Sequence, residues 1–496
     1  MRETALYFGF RYDMKKMDPL IVLDSCEVLG HSKIYTPYTL LETLCCDIAG
    51  PQKMFAIGCG GPTKDLSSYR TTMTLEPFLP LSESAHKDAA TKSWGKAVDV
   101  ILYGPIHRWA AGLPRLLVAA HTQCTDVICL ASGCLDAVAT FFQRFQAAAS
   151  SSYSKIRPEW FPQAFSCLLI SSTKLKVYHD ECIPINPKWR SLLKADDIIA
   201  IDRNSKTSLG NDWGQGGTFR QAAARSIGWH LHDKKRFVVP PIIFTDKVMN
   251  GLMLENGIQD PLIMPSQLHP PIADEIAWRL GKCSNSERGR LFNKPFVYAV
   301  YARYLLAYWG NPRSEWVRLT DVFEGAFQER QKYDISNYEV NLSGGVHVKD
   351  SGLLYTDAVP NALTYFGSPA HHDAYMFCRI VENGVVTWEG AVPLQMRHEP
   401  KPRDLADKMW TTGKPQPKKL STKSGKKGTP IPPREAVRLL FCVNQSECKV
   451  LSHKRIVMIA ADRMSSVSSL WPHSKEGNVK CIVGTKENII NVGEAF

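Results

Sequence analysis

The chain has no run of eighteen apolar residues, the length that spans a hydrocarbon core as a helix, so no membrane contact is expected. Residues 1–25 carry Arg2, Glu3, Arg11, Lys15 and Lys16 around no apolar core of signal-peptide length, and no secretion is expected. None of the fourteen cysteines pairs with another as CxxC. Cys45 and Cys46 are adjacent, and Cys124, Cys129 and Cys134 stand five apart, a spacing that suits no metal geometry. In a chain of 496 residues they read as free, mostly buried thiols of a reducing compartment. HExxH, GxSxG and the G-K-[ST] of a phosphate loop are all missing, so no complete catalytic signature is present and no cofactor is expected. Nor does any repeat stand out at solenoid or propeller periods.

Acids are missing where they matter most. Residues 413–434 read GKPQPKKLSTKSGKKGTPIPPR, with Lys414, Lys418, Lys419, Lys423, Lys426, Lys427 and Arg434 and not one Asp or Glu. The whole chain carries +12. Residues 401–496 hold eighteen Lys and Arg against eight Asp and Glu, a net of +10, which leaves +2 for the first four hundred. Charge gathered at one end points to a polyanionic partner; the plainer reading is a solvated spacer. Lysine outnumbers arginine six to one in this stretch, which suits neutralisation of phosphate without planar two-point readout. The prolines at 415, 417, 430, 432 and 433 keep it extended and unfit to add a strand.

Apolar spacing predicts helices over 36–50, 134–149, 294–310 (opened by Pro295) and 315–330. The stripe of the second is Leu135, Val138, Phe142 and Phe145. Strands are predicted at 53–59, 98–104, 174–179 and 197–202, and a broken or edge strand at 236–244 because of its Pro pair. Asn383-Gly384, between β-branched and aromatic runs, predicts a hairpin over 375–392 with a type I′ turn. Runs at 436–443, 448–461 and 480–493 predict further strands of an antiparallel sheet.

Candidate sites are few. Two His/Asp clusters, His230, His232 and Asp233, and His371, His372 and Asp373, could hold a metal if they converge; ordinary surface or hydrogen-bonded histidines are the plainer reading. Gly216 and Gly217 lead to Thr218, read as the cap of a helix carrying Arg220, which makes a candidate anion site. Tyr298, Tyr301, Tyr304 and Tyr308 with Arg303 could stack bases of a single strand, against the commoner reading of a packing face.

The expected fold class is mixed α+β, helical bundles combined with antiparallel sheet. A main body over 1–395 is expected, allowing two subdomains with a break near 150–158, then a Lys/Pro-rich insertion over 396–434 and a β-rich segment over 435–496 packing back on the body. The leading functional expectation is a self-assembling structural protein bound to nucleic acid, most concretely an RNA-virus capsid or nucleoprotein subunit. Its partners would be nucleic acid, RNA foremost, held by backbone electrostatics, and copies of itself, in the cytoplasm and in the virion if the chain is viral. The alternatives are a metal-dependent hydrolase on a polyanionic substrate and a non-catalytic subunit of a cytosolic complex.

Overall fold

The computed structural model describes residues 20–23, 55–58, 80–93, 100–123, 135–152, 160–173, 175–178, 181–192, 215–224, 227–231, 235–258, 263–269, 274, 285–326, 335–349, 358–366, 373–397, 438–442 and 456–460. The helices predicted over 36–50 and the strands over 197–202 and 480–493 lie outside these residues. The chain forms two compact units, Met1–Phe78 with Arg220–Ile227, and Leu79–Phe219 with Gly228–Phe496. In the first, β1 (Leu20–Leu23) and β2 (Phe55–Gly58) pair in parallel, Leu20 opposite Phe55. Both are short apolar runs of the kind a strand buries on two faces.

The second unit opens with α1 (Glu83–Ser93), α2 (Val100–Ala110) and α3 (Pro114–Gln123). Ser82 caps α1 by accepting the Ala85 amide on its hydroxyl at 3.1 Å, with Glu83 in the positive first turn. The expectation of a strand over 98–104 is corrected here, because Val100–Gly104 begin α2. The β-branched and aromatic residues suggested a strand locally. The wider spacing instead aligns Ile106, Trp109 and Ala110, all buried, on a helical face that continues to Leu113. Ala111 (φ 51°) and Gly112 (φ 71°) then end the helix in the left-handed region.

Next come α4 (Leu135–Ser152) and α5 (Phe161–Thr173). α4 extends the predicted 134–149 helix by a turn, and its buried stripe is Val138, Phe141, Phe145 and Ala149. Phe142, placed in the stripe by the sequence reading, is half-buried and meets Trp109 edge-on at 5.2 Å. α5 buries every residue but Ser171, and two of its buried hydroxyls find partners on their own helix. Ser172 and Thr173 donate back to the Leu168 and Ile170 carbonyls at 2.8 and 3.1 Å.

Three small pieces follow: β3 (Cys182–Pro184), antiparallel to β4 (Gln215–Thr218), then α6 (Phe219–Ala224), which crosses the boundary between the units. β5 (Trp229–His230) pairs antiparallel with β6 (Phe237–Val238). The strand expected over 174–179 is reduced to a single bridge from Lys176 to Arg236. The Pro pair breaks the 236–244 run as anticipated, and Pro241–Ile243 form a 3₁₀ turn. α7 (Asp246–Glu255) is capped by Thr245, and the one-turn α8 (Pro265–Leu268) follows.

The central element is α9 (Asn285–Gly310). It starts ten residues before Pro295, which lies inside the helix instead of opening it as expected. Every residue from Pro295 to Leu306 is buried, so this half is held from all sides by packing, and propensity decides little. Trp309 closes an aromatic cluster with Phe165 and Trp189, ring centroids 5.2 to 6.3 Å apart. Each such pair adds about 1 kcal/mol beyond its buried area. The helix predicted over 315–330 is corrected to β7 (Val317–Arg318) and the single turn α10 (Leu319–Val322); its last residues, 327–330, lie outside the description. Gly325, at φ 71°, turns the chain away there.

The sheet gathers β8 (Tyr338–Val340), β9 (Val346–Lys349), β10 (Leu363–Phe366), β11 (Ala374–Glu382), β12 (Val385–Arg397), β13 (Arg438–Cys442) and β14 (Ile456–Ala460), together with β7. The strand order is β14-β13-β12-β11-β10-β9, and β8 with β7 continues along the free part of the β11 edge that β10 leaves. The β11–β12 hairpin turns through Asn383 (φ 50°) and Gly384 (φ 78°), the two positive values a type I′ turn needs. β10, β11 and β8 meet antiparallel, but β9–β10, β12–β13 and β13–β14 are parallel. The wholly antiparallel expectation is corrected at these three ladders. A parallel partner needs a long return connection, and residues 398–437 and 443–455 are long enough to supply one. The architecture is mixed α+β with antiparallel and mixed sheets.

Candidate functional site

Residues 413–434 lie outside the described residues, so Lys414, Lys418, Lys419, Lys423, Lys426, Lys427 and Arg434 have a described setting only at the ends of their segment. β12 ends at Arg397 and β13 begins at Arg438. The two strands are neighbours and parallel, with Leu394 opposite Leu439 and Arg397 opposite Cys442. The basic stretch therefore belongs to the connection that carries the chain from one end of this ladder back to the other.

Thr218 is the last residue of β4, opposite Cys182, and directly precedes the first helical residue, Phe219. The Phe219 amide, which opens α6, donates to the Glu181 carbonyl at 3.2 Å. Gly217 is buried at φ 79°, as the tight passage from strand to helix requires, and Gly216 precedes it in the strand. α6 has six residues, and Arg220 falls on the far side of the unit boundary from Thr218.

Of the two His/Asp clusters, His230 and Asp373 are described, while His232, Asp233, His371 and His372 lie outside. His230 is buried on β5, edge-on to Phe237 at 5.0 Å and to Phe219 at 6.3 Å. Both carboxylate oxygens of Asp373 are engaged: one accepts from the Asn293 side chain at 3.2 Å, the other from the Met396 amide at 2.7 Å. Among the described residues no group of three or more His, Cys, Asp or Glu is arranged to hold a metal ion.

The tyrosine stripe is a packing face. Tyr298, Tyr301 and Tyr304 are buried, and Tyr301, Tyr304 and Tyr308 stack on one another with centroids 6.4 and 6.2 Å apart. Burial pushes the Tyr301 phenol up to about 12. The Tyr304 hydroxyl donates to the Glu315 carbonyl at 2.8 Å. Arg303 is 2% exposed, and its guanidinium donates to the Val322 carbonyl at 2.9 Å and the Glu324 carbonyl at 3.0 Å. Burial draws it down to about 10, so it stays charged at neutral pH. At these positions the ring faces are spent on each other and on the core, and the cation on a helix end, as the packing-face reading expects.

Two histidine groups escaped the sequence reading. His86 on α1, His107 on α2 and His121 on α3 converge. The Nε2 atoms of His86 and His121 are 2.8 Å apart, and the His86 and His107 rings stack at 6.0 Å. His107 Nε2 donates to the Leu81 carbonyl at 2.6 Å. Gly112 is needed at this point: a Cβ there would collide with the Leu81 carbonyl and come within 3.0 Å of His107 Nε2. Burial, then the nearby His121 and His107, lowers His86 to about 3, and burial lowers His121 to about 4.

In the second group His269 meets Ser172 of α5, Nε2 to Oγ at 2.7 Å, both buried. The Ser172 hydroxyl also lies 2.8 Å from the Leu168 carbonyl, so it stands between two partners. Burial, with the Arg108 charge, lowers His269 to about 3. The histidine partners stand 35 and 97 residues apart in the chain, a separation that no local motif exposes.

No protein-family model, curated protein or solved structure matches this chain. No helix among the described residues is long and apolar enough to cross a membrane.

Proposed function

We propose that this chain is a structural, self-assembling nucleic-acid-associated protein, most concretely an RNA-virus capsid or nucleoprotein subunit. The observation that carries the reading is the concentration of charge: seven cations and no acid over 413–434, within a segment of net +10. The pairing of β12 with β13 supports it, because the basic stretch is joined at both ends to neighbouring strands of one sheet. Lysines at this density neutralise phosphate one by one, and binding of that kind falls with salt and ignores sequence.

The test is purification without nuclease, with absorbance at 260 and 280 nm and particle sizing at two salt concentrations. Bound nucleic acid and assemblies that loosen with salt are expected. Replacing the six lysines of 413–434 with Gln lowers the slope of log K against log salt by about four if each contacts one phosphate of a single strand. An unchanged slope returns the segment to a spacer. Salt-insensitive particles free of nucleic acid overturn the proposal.

A further inference from the structure

We propose that His86, His107 and His121 form an acid-sensitive latch, which holds α1 against α2 and α3 at neutral pH and releases it in mild acid. α1, with the sequence ESAHKDAATKS, contains no large apolar side chain. Among its described side chains His86 alone is buried, at 0% exposure, while Ala85, Lys87 and Ala89 are half-buried and the others exposed. A helix normally docks through an apolar stripe. Here an imidazole takes that place, against His121 at 2.8 Å and beneath the His107 ring. The approach to α1 is fastened by the same group: the Leu81 amide donates to the Gly112 carbonyl at 2.7 Å, and the Leu81 carbonyl receives His107 Nε2.

Two neutral imidazoles share one hydrogen bond, and two imidazoliums repel. The described charged groups on the packed elements are Glu83, Lys87 and Asp88 on α1, Arg108 beside His107 on α2, Arg115 on α3, and Asp136 and Arg144 on α4. The three acids among them, Glu83, Asp88 and Asp136, are all exposed. When α1 lifts away, His86 and His121 return to water and to their ordinary value of 6.5. The docked state is therefore at full strength above pH 6.5 and is lost as the pH falls toward the docked values. At pH 5 each imidazole favours the open state by about 30-fold, and the pair by about a thousandfold.

The experiment is hydrogen exchange by mass spectrometry on the full chain at pH 7.5 and 5.0, corrected for intrinsic exchange. Residues 80–93 are expected to lose about a thousandfold in protection, with a much smaller change over 296–306 of α9. In His86→Gln the response of 80–93 should fall to about 30-fold, the share of His121 alone. The wild-type comparison stands by itself if that variant does not fold. Equal losses in both segments, no loss over 80–93, or an undiminished response in the Gln variant would each overturn the proposal.

Discussion

Replacing Arg303 with Met is expected to cost about 4 kcal/mol, although it removes a buried charge. Two effects oppose each other. Trading a buried ion pair for an apolar side chain is often neutral or even favourable, since both charges escape desolvation. At Arg303 the partners are instead the Val322 and Glu324 carbonyls at the end of α10, and these stay behind. A hydrogen bond from a charged donor contributes roughly 1.5–3 kcal/mol, and an orphaned buried acceptor costs about 1–3. Val322 is buried, whereas Glu324 is exposed and its carbonyl can be hydrated, so one orphan is counted and not two. Arg303→Lys, a single point donor in place of the fork, keeps one bond and should cost about 2 kcal/mol. Urea midpoints followed by near-ultraviolet circular dichroism read the global loss. Exchange of amides over 319–326 reads it locally, where 4 kcal/mol corresponds to roughly a thousandfold. A Met variant within 1 kcal/mol of the parent, or a Lys variant worse than Met, would refute the assignment of Arg303 as the clamp on α10.

Two further outcomes follow from the geometry. Gly384 has open space around its Cβ position but stands at φ 78°, so Gly384→Ala should cost about 1 kcal/mol by urea unfolding, from backbone conformation alone; a neutral result would mean that the hairpin does not depend on the I′ turn. Cys167 and Cys378 are fully buried with thiols pushed up by burial, while Cys182 is half-buried. Under native conditions iodoacetamide should label Cys182 well before the other two in peptide maps, and equal labelling would contradict the packing of α5 and β11.

What the sequence made legible was local. Asn383-Gly384 announced its turn because only a few dipeptides tolerate two positive φ values, and Val138 and Phe145 announced their helix through spacing alone. The errors arose where distant contacts overrode local preference. Val100–Gly104 look like a strand until Ile106 and Trp109 commit the longer segment to a helical face. The 315–330 segment stops being a helix after Val322, where Arg303, contributed from α9, takes its terminal carbonyls. Strand direction after β12 was unreadable, since parallel and antiparallel partners share the same apolar runs. The histidine latch had no local sign at all, for its members come from three helices.

The parallel ladder between β12 and β13 also determines what becomes of the basic loop when it is cut. A protease acting anywhere in 398–437 would leave 438–496 without a peptide link to the body, yet β13 would remain hydrogen-bonded along β12 and would carry β14 with it. The nicked molecule would run as two bands in denaturing gels and as one species in native sizing. Its cations would then be divided between two chain ends instead of lying in one continuous segment. A strap tied at both ends projects at most half its contour, on the order of 60 Å, and after a nick only the longer of the two ends can reach farther than that. A clean nick therefore separates the part that closure plays in binding from the part played by charge, with the composition of the chain unchanged.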